Sequence, residues 1–303
     1  MIRGWIVALA LLLAVSSRAS VVATAGPEGQ PVGPWREQIH WVPAQGAFGS
    51  QALLYTRICR PRGDASARVV LLNHGAPPDP NIRPTMQPSA CDSEAVQWFL
   101  TRGYLAVMGM RRGYGQTGGI YVEGTGRSCS NEEYTAEEYA RSGRESARDI
   151  DALVNYATAL PYAKPTGAVV VGQSAGGWAA DAYDSMPHPK VIALVSMQGG
   201  RGGHEHLLPN HNCRPEELAR AAGIFGATAT TPMLWVYAAN DTFFAPELAA
   251  AMYAAFSKAG GRAEFIQAGP FGDEGHRLFY GRGGSAIWGP MMQRYLAERG
   301  AGP

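Results

Sequence analysis

Residues 169–178 read VVVGQSAGGW, and this stretch decides the fold of the chain. Three valines run into Ser174, which has a glycine two positions before it and another two positions after it, and a helix-like segment follows at once. A serine at a sharp strand-to-helix turn has a strained backbone, and its neighbours two residues away must be small for strand and helix to approach closely. The pattern therefore predicts a nucleophile elbow at Ser174.

Strand-like and helix-like segments alternate on both sides of this stretch. Fully apolar central strands in such an alternation predict an α/β fold, with a mostly parallel sheet covered by helices on both faces. Functional loops then gather at the carboxyl ends of the strands. The irregular stretch between residues 198 and 231 contains one short predicted helix near 215–222 and is too short for a large lid domain. The predicted strands are 38–42, 52–59, 67–72, 104–110, 168–171, 191–195, 233–238 and 263–266, and the main predicted helices are 91–102, 135–160, 175–185, 246–259 and 286–299.

A serine nucleophile needs a base, and after a strand–serine–helix elbow the acid and then the histidine follow along the chain. The apolar run 234–238 leads to Asp241, and the run 264–266 leads to a loop that carries His276. Both residues come after the carboxyl end of a predicted strand. The predicted triad is therefore Ser174, Asp241 and His276.

In this triad Ser174 attacks a carbonyl carbon, and His276 takes the serine proton and returns one to the leaving group. Asp241 holds the imidazole tautomer and stabilises its positive charge. Asp273 and Glu274 are alternative acids, but they lie too near His276 in sequence for the expected position at a strand end. A helix N-cap remains an alternative role for Asp241.

Two backbone N–H groups are expected to bind the oxyanion of the tetrahedral intermediate. One is that of Ala175, directly after the nucleophile. The other is expected in the loop 73–78, which reads NHGAPP. Its two prolines have no N–H, which leaves Gly75 or Ala76, and we favour Ala76. His74 is interpreted as a structural loop residue rather than a second base, and as a candidate contact for substrate.

Together these residues resemble the α/β-hydrolase superfamily over nearly the whole chain from residue 52 onwards. Residues 112–117 (RGYGQT) add a partial match to the Asp-x-Arg-Gly-x-Gly-x-Ser stretch of many members, with Met110 in place of the acid. The chain looks most like secreted dienelactone-hydrolase-like and prolyl-oligopeptidase-like esterases, although it carries serine as nucleophile and has no room for an N-terminal propeller. The marks of the superfamily are NHG at 73–75, GQSAG at 172–176, Asp241 and His276.

The resemblance implies a secreted serine hydrolase that cleaves carboxylic esters through an acyl-enzyme intermediate. A peptidase or amidase of the same fold, and a binding protein that keeps the fold without the chemistry, are the alternatives. The expected substrate is a small-molecule or oligomeric ester. A formal net charge of +1 gives no field of one sign for nucleic acid or an anionic membrane. No cofactor is predicted, and oligomeric state stays open.

The N-terminus reads as a secretory signal peptide, residues 1–25, followed by a single catalytic domain, residues 26–303. The apolar run 6–15 is too short to span a bilayer, and Ala-Thr-Ala at 23–25 offers a cleavage site. A retained membrane anchor is the alternative. The protein is therefore expected outside the cell or in the periplasm, without stable membrane association after cleavage.

Export makes disulfides plausible for the four cysteines, Cys59, Cys91, Cys129 and Cys213, which permit three pairings. We favour Cys91–Cys129, because both are expected in loops at one edge of the sheet. Buried free thiols are the alternative.

Two aromatic residues near the elbow, Tyr114 and Trp178, are candidate pocket-lining side chains, with core packing as the alternative. The histidines of the irregular stretch, His204, His206 and His211, lie near Cys213 but in a spacing that matches no well-defined zinc pattern. No metal site is predicted, and this loop is expected to overhang the pocket.

Overall fold

The computed structural model describes residues 24–45, 51–124, 129 and 134–302. The predicted signal peptide lies outside them except for its last two residues. The strands are β1 (Gly26–Val32), β2 (Glu37–Gln45), β3 (Gln51–Cys59), β4 (Arg68–Asn73), β5 (Tyr104–Gly109), β6 (Ala168–Gln173), β7 (Val191–Met197), β8 (Met233–Ala238) and β9 (Ala263–Ala268). The α-helices are α1 (Glu94–Leu100), α2 (Ala136–Thr158), α3 (Ala175–Asp184), α4 (Pro215–Gly226), α5 (Pro246–Lys258) and α6 (Gly284–Glu298).

These strands form one sheet in the order β1-β2-β3-β5-β4-β6-β7-β8-β9. The pairs from β5 through β4, β6, β7 and β8 to β9 are parallel, and β1, β2 and β3 add an antiparallel edge next to β5. The predicted fold class, a mostly parallel sheet with helices on both faces, is confirmed. The carboxyl ends of the parallel strands share one edge, where the loops that follow β4, β6, β8 and β9 meet.

Alternation along the central strands divides the core into two layers. In β6, Val170 packs in one apolar cluster with α2, α3, α4 and α5, while Val169 and Val171 pack in a second cluster with α1 and α6. Burial on both faces explains why the sequence of this strand is a continuous apolar run. The two layers fix β6 rigidly, and with it the turn that follows.

Strand β1 is absent from the sequence prediction. Six of its seven residues are exposed, and it pairs only with β2 at the edge of the sheet. Without a buried face it has no alternation of apolar and polar residues for the sequence to display. The helix at the end of the irregular stretch also extends beyond the expected range 215–222, to Gly226.

The disulfide pairing predicted from sequence is wrong. Cys59 pairs with Cys91, and Cys129 pairs with Cys213, with Cα–Cα distances of 5.9 and 5.5 Å. Cys59 and Cys91 both belong to the apolar layer of α1 and α6. Cys213 lies two residues before α4, and its N–H donates to the carbonyl oxygen of Gly202, which lines the cavity beside Ser174. Cys91 and Cys129 are therefore bonded to different partners, rather than to each other at one edge of the sheet.

Within the described ranges, none of the helices combines the length and apolar character needed to cross a membrane.

Candidate active site

Ser174 occupies the turn between β6 and α3 with φ 57° and ψ −123°. A positive φ is strained for a residue with a Cβ, and such strain persists only where the surroundings impose it. A Cβ on Gly172 would collide with the carbonyl oxygen of Gly176, and a Cβ on Gly176 would lie 2.6 Å from the carbonyl oxygen of His74. The two glycines therefore allow the strand, the helix and the neighbouring loop to approach closely around Ser174.

Asp241 lies three residues after β8 and is almost fully buried. Its Oδ2 is 3.0 Å from Nδ1 of His276. Its Oδ1 accepts hydrogen bonds from the backbone N–H groups of Phe243, at 2.8 Å, and Phe244, at 3.0 Å. The N-cap of α5 is Ala245 rather than Asp241. One oxygen of the carboxylate is thus fixed by two backbone donors, and the other oxygen faces the imidazole of His276.

Of the two alternative acids, Asp273 is exposed. Glu274 binds the backbone of the histidine loop: it accepts from the N–H of His276, at 2.9 Å, and from both the N–H and the hydroxyl of Thr242. Burial alone would raise the pKa of Glu274, but these hydrogen bonds lower it below its ordinary value. Glu274 ties the loop after β8 to the loop after β9 without contacting the imidazole nitrogen.

The imidazole of His276 is enclosed by aromatic rings. Phe243 stacks on it at 4.2 Å between centroids, and Phe244 meets it edge-on at 5.5 Å. The side chain of Gln173, which precedes Ser174, donates to the carbonyl oxygen of His276 at 3.1 Å. Donation from Nδ1 to Asp241 leaves Nε2 of a neutral imidazole as an acceptor. The elbow and the histidine loop are therefore tied together, and Nδ1 of the His276 ring is bound to Asp241.

The loop after β4 packs against the elbow. A Cβ on Gly75 would lie 3.0 Å from the Cβ of Ser174, and the side chain of Asn73 donates to the carbonyl oxygen of Gly176 at 3.2 Å. Ala76 and Ala175 line one cavity together with Ser174. The two residues predicted to supply the oxyanion donors thus line the same cavity as Ser174.

This cavity has a volume of about 510 Å³. One wall comes from the proline-rich end of the loop after β4, a second from Tyr121 and Glu123 after β5, and a third from residues 200–207 after β7. Phe243 and Phe244, beside Asp241, close it on the side of the triad. The irregular stretch after β7 therefore forms part of the wall of the cavity that contains Ser174.

Tyr114 and Trp178 do not line this cavity, so core packing replaces the predicted pocket role. Trp178 is 1% exposed, packs on Phe225 and donates from its indole to the carbonyl oxygen of Tyr139. Tyr114 is fully buried, and its hydroxyl donates to Glu123 at 2.7 Å. Trp178 belongs to the apolar core, whereas the Tyr114 ring packs edge-on against His74 and Tyr121.

His74 faces the loop rather than the cavity. Its Nε2 accepts from the backbone N–H of Arg111 at 3.1 Å, and its Nδ1 is 2.7 Å from the carbonyl oxygen of Gly75. Burial and the nearby charge of Arg111 lower the pKa of His74 to about 3. The ring is therefore neutral, with its proton on Nδ1, and serves as a structural link.

The histidines of the irregular stretch have separate roles. His204 stacks on the outer face of Phe243, with 3.5 Å between ring centroids, whereas His206 is 82% exposed and Cys213 is in a disulfide. In the part of the chain that the structure describes, no cluster of three or more metal-ligating side chains occurs.

Sequence reasoning missed a buried charge cluster beside the cavity. The carboxylate of Glu123 accepts from two guanidinium groups, those of Arg111 and Arg201, and from the hydroxyl of Tyr114. Burial alone would raise the pKa of Glu123, but Arg111 and Arg201 more than offset this and hold the pKa well below its ordinary value. The cluster is therefore ionised, with two positive charges against one negative charge. Glu123 lies in an irregular, glycine-rich segment, which gave no signal in the sequence.

No family model and no curated protein matches this chain in sequence. Among solved structures, it is similar to a putative dienelactone hydrolase from Klebsiella pneumoniae (17% identity, TM-score 0.53, covering 86% of this chain and 98% of that one). It is also similar to acetyl xylan esterase 1 from a Thermoanaerobacterium species (13% identity, TM-score 0.55, covering 90% of this chain and 87% of that one). A third similar structure is an acylaminoacyl peptidase from Pyrococcus horikoshii (14% identity, TM-score 0.54, covering 87% of this chain and 41% of that one). At such low identity these likenesses establish the fold: the chain has the α/β-hydrolase fold.

Proposed function

We propose that this protein is an exported serine hydrolase that cleaves carboxylic esters through an acyl-enzyme on Ser174. The observation that carries the proposal is the buried Asp241–His276 pair, whose loop is hydrogen-bonded through Gln173 to the strained elbow at Ser174. A serine without an adjacent base is a poor nucleophile, and an elbow with an oriented imidazole supplies that base.

The reaction follows from these positions. The Ser174 oxygen attacks the ester carbonyl while Nε2 of His276 takes its proton, and Asp241 stabilises the imidazolium through Nδ1–H. The N–H groups of Ala175 and Ala76 bind the oxyanion. Collapse of the tetrahedral intermediate expels the alcohol, which receives the proton from His276, and a water molecule then attacks the acyl-enzyme by the same route. None of these steps requires a cofactor.

A peptidase or amidase is the second candidate, because an acylaminoacyl peptidase is among the similar structures. The two reactions share the nucleophile and differ in the leaving group, since an amine must be protonated as it departs. A binding protein that has lost the chemistry is the third possibility to test. It is disfavoured by the presence of all three triad residues.

The proposed substrate is a small-molecule ester or the end of an oligomeric ester, because the cavity over Ser174 is compact and its walls mix aromatic and charged side chains. Export is proposed from the signal-peptide pattern at the N-terminus. The two disulfides support it, since disulfides persist in oxidising compartments.

The test is hydrolysis of p-nitrophenyl esters from acetate to palmitate by the mature protein, with Ser174→Ala beside it and Ser257→Ala, in the last turns of α5, as a matched control. Activity towards short acyl chains should fall by a factor on the order of 10⁵ or more in Ser174→Ala and stay unchanged in the control. Cleavage of p-nitroanilides but not of esters would favour the peptidase. Equal activity in Ser174→Ala would refute the proposal.

A further inference from the structure

Arg111 joins the loop after β4 to the loop after β5. It is 0% exposed, and its guanidinium Nη1 donates to the carbonyl oxygen of His74 at 2.6 Å and to Oδ1 of Asn73 at 2.8 Å. Its backbone N–H donates to Nε2 of His74. One residue thus binds the loop through its main chain and its side chain.

These bonds orient two peptide planes. In a trans peptide the N–H points opposite to the carbonyl of the same plane. The carbonyl of His74 points at the guanidinium of Arg111, so the N–H of Gly75 points away from it. The carbonyl of Gly75 accepts from the ring of His74, which Arg111 holds, so the N–H of Ala76 points away from that ring. Arg111 therefore sets the orientation of both N–H groups that could serve as the second oxyanion donor.

Arg111 is itself held by Glu123, which receives hydrogen bonds from its Nε and Nη2. Glu123 is also bound by Arg201, at 2.9 Å from Nη1. The residue before Arg201 is Gly200, whose N–H donates to the carbonyl oxygen of Ser174 at 3.2 Å. The cluster therefore contacts the oxyanion loop directly, and its member Arg201 directly follows the residue that binds the backbone of Ser174. Since a fixed donor costs no reorganisation when charge develops, such a rigid support favours the transition state over bound substrate.

We propose that Arg111 is a positioning residue for the oxyanion donors, with the neutral ring of His74 as its relay to Ala76. This inference rests on the proposed function, because it assigns the support of the same oxyanion site. Lysine in place of Arg111 keeps the charge, but it cannot hold Asn73, the His74 carbonyl and Glu123 at once with a forked geometry.

The chain offers a matched control in the next residue. Arg112 is also buried and paired to a carboxylate, with its Nε 2.7 Å from Oδ1 of Asp149 on α2. It makes none of the contacts that Arg111 makes to the oxyanion loop. Arg112→Lys therefore perturbs a buried ion pair of similar kind without touching the proposed donors.

The experiment compares Arg111→Lys and Arg112→Lys in ester hydrolysis and thermal unfolding. Arg111→Lys should lower kcat by about 10²-fold and leave KM within about threefold, since the effect of one lost oxyanion donor is of this size. Arg112→Lys should lower the Tm by a similar amount and leave kcat within about threefold. If Arg111→Lys does not fold, His74→Phe, which removes only the relay, should still lower kcat at least tenfold with KM retained.

A transition-state mimic separates positioning from general loosening. A trifluoromethyl ketone forms a tetrahedral adduct on the serine with an oxyanion, whereas the methyl ketone of the same shape binds as a ground-state analogue. Arg111→Lys should weaken the trifluoromethyl ketone by the same factor as kcat/KM and leave the methyl ketone unchanged. Unchanged trifluoromethyl ketone affinity, or equal losses of kcat in the two lysine variants, would overturn the inference while the proposed function stood. A wild-type protein with neither ester nor amide hydrolysis would overturn both.

Discussion

Arg111 and Arg112 are adjacent in sequence, yet their buried guanidinium groups belong to two clusters with different consequences. Arg111 and Arg201 share Glu123 beside the cavity, whereas Arg112 binds Asp149 and Glu145 on α2. In the first cluster two positive charges face one carboxylate. In the second, one guanidinium faces two carboxylates.

The charge ratio changes the behaviour of the two buried acids. The pKa of Glu123 is held well below its ordinary value by two arginines, whereas burial raises the pKa of Asp149 to about 6 despite the opposing effect of Arg112. Glu123 thus stays ionised and binds arginines from the loops around Ser174, whereas Asp149 binds Arg112 to α2 and has a pKa in the mildly acidic range. The comparison shows that the role of a buried ion pair depends on its further contacts. Arg111 also binds the loop after β4 beside the candidate site, whereas Arg112 binds α2.

The largest expected difference lies between two buried aspartates, Asp241 and Asp149. Asp241→Asn should lower kcat by about 10⁴-fold, because the amide favours the wrong tautomer of His276. Asp149→Asn should leave kcat within about threefold, because it removes only a contact to the scaffold. Steady-state kinetics of the two variants checks this, and near wild-type kcat in Asp241→Asn would show that the acid has been assigned to the wrong residue.

The second prediction compares Glu123 with Glu145. Glu123→Gln leaves two buried guanidinium groups without a carboxylate and should lower the free energy of unfolding by about 3–5 kcal/mol. Glu145→Gln removes a peripheral partner of Arg112, at 3.4 Å, and should cost about 1 kcal/mol or less. Urea denaturation measures both. Equal losses would mean that the cluster beside the cavity has no special stability.

The fold and the candidate triad could be predicted from local sequence patterns, whereas the buried ion pairs and the disulfides could not. Buried parallel strands leave apolar runs, and the elbow leaves two glycines around Ser174, so the fold class and the candidate triad could be predicted. Partners of a buried charge leave no local trace: Arg111 and Glu123 are twelve residues apart across an irregular segment. The disulfide pairing was predicted wrongly for the same reason, because it depends on which distant segments the fold brings together.

A third prediction uses the two disulfides, one in each part of the molecule. Replacing either pair by alanine should lower the free energy of unfolding by about 2–4 kcal/mol, with the larger loss for Cys129–Cys213, which spans 84 residues against 32. Cys213 also donates its N–H to the carbonyl oxygen of Gly202, which lines the cavity. Loss of this disulfide leaves the segment around Cys213, and with it the cavity wall at Gly202, less constrained, and should therefore raise KM as well. Loss of Cys59–Cys91 should leave KM unchanged. A raised KM in that variant would contradict the view that only Cys129–Cys213 supports the cavity.

The smallest expected effect is a pH dependence of stability. Because the pKa of Asp149 is raised in the folded state, its contribution is full below the unfolded pKa near 4 and is lost as pH rises through about 6, a change of about 2–3 kcal/mol. Glu123, with a lowered pKa, contributes above its unfolded pKa and loses that contribution as pH falls. Unfolding of wild type and Asp149→Asn between pH 4 and 7 checks the sign for Asp149, and unfolding of wild type below pH 4 checks the sign for Glu123. A ¹³C titration of the carboxyls follows both groups. A titration of Asp149 below pH 4 would contradict the assignment.

The most direct test of the central claim is covalent labelling of the mature protein by a fluorophosphonate, followed by peptide mapping. The account predicts one phosphonyl group, on the Ser174 side chain, and slow or absent labelling in His276→Ala, because the hydroxyl then lacks its base. A wild-type protein that stays unlabelled, or that carries the label on another residue, would contradict the assignment of Ser174 as an activated nucleophile.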